Sequence, residues 1–244
     1  MDDCIIYTAG YSPAMGYCIQ ILKQAGFTLL SEPSTEVTHL LLPVPSFTPD
    51  GSIVGGGNLR TLLTLLPEDI TVIGGNLDCP ELVGYTVVDL LQDEGYLSDN
   101  AQITAHCAIK VTLNQLPVIL DGCPTLVVGW GRIGKCLSRL LRQMGADVTV
   151  CTRKEKDRSI LSAMGYGALD FPEVDLAKFR VIFNTAPTMV FPTCPGSALK
   201  IDLASRLGLG GPDVIWARGL PGKDAPESSG RLIAKTVIPL FRKE

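Results

Sequence analysis

Residues 125–154 read TLVVGWGRIGKCLSRLLRQMGADVTVCTRK, and this stretch decides the fold. Thr125–Val128 is a short apolar run suited to a buried strand. Gly129, Gly131 and Gly134 follow at G-x-G-x-x-G spacing. Ile133, Cys136, Leu137, Leu140, Leu141 and Met144 then recur at i, i+3, i+4, i+7, i+8 and i+11, which predicts a helix that stops at Gly145. The run ADVTVC reads as a second strand. A glycine fingerprint is weak alone, but strand, turn, helix and strand in this order form a dinucleotide-binding β-α-β unit. Gly129 permits the tight turn, Gly131 removes a side chain that would block a pyrophosphate, and Gly134 lets the helix approach the strand. With Trp130, Arg132 and Ile133 between them, these residues are expected to hold the cofactor at the helix N-terminus.

The end of the second strand selects the cofactor. An NAD site places an acid there to accept from the ribose 2′-hydroxyl. Here the sequence is Cys151-Thr152-Arg153-Lys154, with Lys156 and Arg158 beyond. Arginine binds a phosphate through two parallel charge-assisted bonds. The expected cofactor is therefore NADP rather than NAD, with Thr152 and Arg153 on the 2′-phosphate and Lys154 adding charge.

Further strands are expected at Val181–Phe183, Lys200–Leu203 and Val214–Ala217. In an open α/β sheet, ligands bind beyond the carboxyl ends of the strands. The segments that follow carry Asn184, Thr185, Ala186 and Pro187, then Ala204, Ser205 and Arg206, then Arg218, Gly219, Leu220, Pro221, Gly222 and Lys223. Their charges are mainly cationic, which suits a small anionic substrate such as a carboxylate. Hydride transfer needs placement and a proton acceptor, and no metal. Both histidines, His39 and His106, precede the fingerprint, so the histidine relay of D-2-hydroxyacid dehydrogenases is missing. The candidate catalytic groups are Lys223, Asn184 and His106.

The N-terminal part repeats the α/β pattern. Strands are expected at Cys4–Tyr7, 27–30, 38–43 and 70–75. A helix capped by Ser12, with Pro13 in its first turn, buries Met15, Cys18, Ile19 and Leu22 and ends at Gly26; NLRTLLTLL forms a second. A connecting helix, Thr104–Leu116, shows Ile109, Leu113 and Leu116 on one face. The tail carries Leu232, Ile233, Val237, Leu240 and Phe241 at helical spacing, with Pro239 expected to kink or end it. The expected division is 1–102 for a substrate-side α/β domain, 103–228 for the dinucleotide domain, and 229–244 for a terminal helix packing back on the first domain.

Composition sets limits on partners. The 244 residues suffice for two domains, and 46% hydrophobic with 19% charged residues at a mean hydropathy of +0.27 supply packed cores. A net charge of −4 gives no basic surface for nucleic acid. The acidic start MDDCII lacks the basic region of a leader, and THLLLPVP is too short to span a bilayer, so the expectation is a cytoplasmic chain without membrane contact. Eight cysteines without a C-x-x-C pair point to reduced, buried thiols and no metal site.

GWGRIG, NTAPTM, IDLAS and above all RGLPGKDAPESSGRLIA resemble the A subunits of dipicolinate synthases, from about residue 100 to 238. The resemblance implies a doubly wound Rossmann domain behind a smaller flavodoxin-like N-terminal α/β domain. It implies NADP-linked oxidation of dihydrodipicolinate, or its hydroxylated precursor, to dipicolinate during sporulation. Gly129, Gly131, Gly134, Thr152 and Arg153 would hold the cofactor, while Asn184, Thr185, Pro187, Ser205, Gly219, Leu220, Pro221, Gly222 and Lys223 would border nicotinamide and substrate. A flavoprotein-like B subunit is the implied partner, and a homo-oligomer is expected. The competing readings are another NADP-dependent 2-hydroxy or 2-oxo acid dehydrogenase and a non-catalytic dinucleotide-binding subunit.

Overall fold

The computed structural model describes residues 4–242. They form two compact units: the residues up to Asn100 together with those from Pro221 onward, and Ala101–Leu220.

The first unit contains β1 (Ile5–Thr8), α1 (Pro13–Gln24), β2 (Thr28–Leu30), β3 (His39–Leu41), α2 (Leu59–Leu63), β4 (Thr71–Gly74) and β5 (Thr86–Asp89). The Ser12 hydroxyl accepts from Met15 N at 3.2 Å, and Pro13 opens the helix where its missing N–H costs nothing. Ala14, Met15, Cys18 and Leu22 form the buried stripe of α1, while Ile19 is only half-buried. The five strands are parallel in the order β2-β1-β3-β4-β5, the flavodoxin-like doubly wound arrangement. Leu40, Leu42, Ile70 and Val72 lie in its core. The edge strand β5 was not expected from the sequence.

The chain reaches the second unit along α3 (Glu94–Gln115), ten residues longer at its start than the expected Thr104. Of the expected face, Ile109 is buried and Leu116 half-buried, and Leu113 is corrected. Ala101, Thr104, Ala105, Ala108 and Thr112 are buried, whereas Leu113 is 49% exposed.

The second unit continues with β6 (Pro124–Val128), α4 (Arg132–Gln143), β7 (Asp147–Cys151), α5 (Glu155–Ala163), β8 (Gly167–Leu169), β9 (Val181–Asn184), β10 (Leu199–Asp202) and β11 (Val214–Trp216). All six strands are parallel, in the order β11-β10-β9-β6-β7-β8. This is the Rossmann order, and its direction reverses between β6 and β9. The carboxyl-end row runs in register through Cys151, Val128, Asn184, Asp202 and Trp216. On α4 the buried positions are Gly134, Leu137, Ser138 and Leu141; Met144, expected inside, is 40% exposed.

Two last helices follow, α6 (Leu220–Asp224) and α7 (Pro226–Phe241). Within the first unit α7 packs on α1, and a Cβ at Gly230 would collide with the Ala14 carbonyl. Lys235 reaches Asp99 at 2.7 Å. Pro239 neither ends nor interrupts α7, because it lies exposed in the final turn. Among the described residues no helix is long and apolar enough to cross a membrane.

Candidate dinucleotide site

The site follows from the turn that leaves β6. Gly129 has φ of +100°, a region that disfavours any side chain, and its N–H donates to Cys151 O at 2.9 Å. Thr185, just past β9, donates from its hydroxyl to Val128 O at 2.8 Å and from its N–H to the same carbonyl at 2.9 Å. That hydroxyl lies over Gly129 and leaves no room there for a Cβ. A Cβ at Gly134 would strike the Gly129 carbonyl, so this glycine sets the distance between α4 and the turn.

Gly131 differs. No heavy atom lies within 4 Å of where its Cβ would be. It is the N-cap of α4 yet makes no side-chain cap, so the first N–H groups of a 12-residue helix face this open cradle. The space belongs to a cavity of about 410 Å³ lined by the second unit. Gly129, Trp130, Gly131, Thr152, Arg153, Lys154, Thr185, Ala186 and Pro187 line it, as expected from the sequence. Cys151 and Thr188, which stand in the CTRK and NTAPTM runs, and Asp157, Phe171 and Val190, which no sequence signal marks, complete the wall. An open glycine cradle, uncapped amides and two cations fit the phosphates of a dinucleotide.

The remaining residues are placed as follows. Trp130 is braced edge-on by Tyr166 at 6.0 Å and by the Lys135 ammonium at 6.0 Å from its ring. Arg132 and Ile133 lie in the first turn of α4, outside the cavity wall, as does Gly134. Asn184 is fully buried. Its Nδ2 donates to Asp202 Oδ2 and to Ala186 O, both at 3.0 Å, while Oδ1 accepts from Ala186 N at 3.0 Å. Fully buried and outside the cavity wall, the amide shapes the Thr185–Pro187 turn.

Asp202, which sequence reading passed over inside IDLAS, organises the next loop. Its carboxylate accepts from Ala204 N at 3.0 Å, Gly208 N at 2.7 Å and Leu209 N at 3.0 Å, besides Asn184. Four donors satisfy a carboxylate with no exposure, and they fold residues 203–209 around it. Ser205 and Arg206 are exposed on that loop. Trp216 donates from Nε1 to Ala204 O at 3.1 Å, and the Arg218 guanidinium lies 5.1 Å over its ring.

Gly219, with φ of +66°, leads into α6, where Leu220 is buried. Pro221, Gly222 and Lys223 follow on α6 and belong to the first unit. His106 is exposed on α3, with Nε2 3.1 Å from Gln102 Nε2, and Gln102 in turn accepts from Arg139 at 3.1 Å. It is not part of the cavity wall. Burial raises the Cys151 thiol to about 12, so this cavity residue stays protonated at neutral pH. No group of three or more metal-ligating side chains occurs among the described residues.

The A subunit of dipicolinate synthase from Bacillus subtilis (strain 168) is 25% identical over 170 residues, 64% of this chain and 57% of that protein. The crystal structure of the dipicolinate synthase A subunit from Bacillus halodurans matches with a TM-score of 0.86 at 20% identity, covering 100% of this chain and 99% of that one. The chain is similar to dipicolinate synthase A subunits. The resemblance carried by GWGRIG and RGLPGKDAPESSGRLIA is thereby borne out. The crystal structure of the Bacillus subtilis protein gives 0.83 at 19% identity, covering 99% of this chain and 96% of that one. The fold is shared more widely: D-lactate dehydrogenase of Salmonella has a TM-score of 0.60 at 14% identity, covering 98% of this chain and 96% of that one. No family model matches the chain. The aligned sequence spans a little over half the length of the curated relative.

Proposed function

We propose that this chain is an NADP-dependent oxidoreductase that converts dihydrodipicolinate, or its hydroxylated precursor, to dipicolinate. The observation that carries the cofactor assignment is the composition of the cavity wall beyond β7. Thr152, Arg153 and Lys154 occupy the place where an NAD site carries an acid. The one carboxylate in the wall, Asp157, stands farther on, in the first turn of α5.

In this reading the α4 amides and Gly131 hold the pyrophosphate, and Arg153 with Thr152 holds the 2′-phosphate. Gly129, Trp130, Thr185, Ala186 and Pro187 shape the wall. When bound, NADP accepts the hydride. Asn184 and Asp202 keep the two loops in place, so Asn184 becomes a positioning residue. Arg218 supplies positive charge for the substrate carboxylates, and the exposed Trp216 ring beneath it suits a planar acid. From dihydrodipicolinate, loss of a hydride and a proton creates the aromatic ring; the hydroxylated precursor must lose a water as well. A flavoprotein-like B subunit is the proposed partner, and this chain itself is proposed to form a cytoplasmic homo-oligomer.

Calorimetric titration with NADP and NAD tests the cofactor assignment. The wild type should bind NADP more tightly, and Arg153→Ala should lose about 1.5–3 kcal/mol toward NADP with little change toward NAD. An unchanged NADP/NAD ratio in Arg153→Ala would refute it.

A further inference from the structure

Arg158 adds a cation to the run that follows β7, yet it does not line the cavity. Its side chain is 24% exposed, and Nη1 donates to Thr152 O at 2.8 Å and to Arg153 O at 2.9 Å. The same nitrogen lies 3.6 Å from Asp170 Oδ2. Arg158 is the fourth residue of α5, close to an N-terminus, where the helix dipole disfavours a cation. Two backbone carbonyls and a carboxylate hold it there against that field.

The turn is pinned from the other side as well. Thr152 N donates to Leu169 O of β8 at 3.1 Å. Asp170, next in the chain, accepts from Phe171 N at 2.8 Å, and Glu173 Oε2 accepts from Asp170 N at 2.7 Å. Phe171 lines the cavity. One guanidinium thus joins the backbone that carries Thr152 and Arg153 to the corner that carries Phe171.

We propose that Arg158 is a positioning residue for cofactor selection: it makes no contact with the 2′-phosphate but fixes the Thr152–Arg153 backbone from which those side chains reach it. This rests on the proposed reading of the turn as the 2′-phosphate site. Lysine is a poorer replacement, because its ammonium ends one atom short of the Nη1 position that reaches both carbonyls.

The test is a set of titrations of the full chain with NADP and NAD, for wild type, Arg153→Ala, Arg158→Met and Arg158→Lys. Arg158→Met should weaken NADP about tenfold, the effect of one charge-assisted bond, and NAD by no more than about twofold. Arg158→Lys retains the charge and should recover less than half of that loss on a logarithmic scale. Full recovery by lysine would make Arg158 a mere charge and overturn the proposal, as would an unchanged ratio in Arg158→Met. If Arg158→Met does not fold, Arg158→Gln, which is too short to reach the Thr152 and Arg153 carbonyls, should shift the ratio in the same direction, and an unchanged ratio there would overturn it. A wild type without NADP preference, or an inert Arg153→Ala, would instead remove the reading of the turn itself and the positioning role with it.

Discussion

Gly131→Ala and Gly134→Ala add the same methyl group to the same fingerprint and should fail in opposite ways. At Gly134 the new Cβ runs into the Gly129 carbonyl, and backbone cannot swing aside as a flexible side chain would. Overpacking of this kind costs about 1–3 kcal/mol, less the roughly 0.5–1 kcal/mol that alanine gains over glycine inside a helix. The melting temperature of Gly134→Ala should fall by a few degrees, and dinucleotide affinity should fall with it as α4 moves from the turn. At Gly131, φ of −81° and ψ of −168° suit any residue, and the Cβ meets nothing. Its stability should stay within about 1 kcal/mol of wild type, since the entropy gained by removing glycine offsets the poorer N-cap. Dinucleotide affinity should nevertheless drop roughly tenfold to a hundredfold, because the methyl fills the cradle before the α4 amides. Differential scanning calorimetry and dinucleotide titration on both variants check this. A Gly131→Ala protein that binds as wild type, or a Gly134→Ala protein with an unchanged melt, would refute the division of labour.

Lys200 is 1% exposed, and its ammonium donates to Pro195 O at 3.3 Å. Lys200→Met should therefore be neutral or stabilising by about 1–2 kcal/mol in urea unfolding, and a loss above that size would contradict this view of the residue. Gly230→Val should lower the melting temperature by several degrees, since α7 rests on α1 through that position; an unchanged melt would refute the contact. Burial raises the Cys18 and Cys151 thiols from an ordinary 9.0 to about 12. Both should resist alkylation through pH 9 in the folded chain, and their contribution to stability, complete below pH 9, should be lost as pH rises toward 12; rapid labelling at pH 8 would count against it.

The dinucleotide unit was legible because its signals are local: an apolar strand, glycines at fixed offsets, a helical stripe. The Ser12 cap and Pro13 start of α1 were legible for the same reason. Side-chain size proved a poorer guide to burial. Leu113 and Met144 lie outside, while Ala101, Ala105, Ala108, Gly134 and Ser138 are buried. β5 and β8 were missed because TVVD and GAL hold at most two large apolar residues, whereas the equally short edge strands β2 and β11 stand in the apolar runs FTLL and VIWA. At the site the sequence marked the glycines, the basic turn and Asn184 but not Asp202, three of whose four donors are backbone N–H groups that no side chain announces. Nor does a run of cations show which one faces the ligand. Arg153 lines the cavity, and Arg158, five residues on, turns back to its own backbone.

The most direct test of the proposed reaction mixes the purified chain with NADP and freshly generated dihydrodipicolinate and follows absorbance at the NADPH band, in parallel with NAD and in the presence of a candidate B subunit. Growth of NADPH together with the ultraviolet bands of dipicolinate, faster with NADP than with NAD, is the predicted result. NADP binding without turnover in any mixture would contradict the proposed reaction and leave a dinucleotide-binding protein with another role.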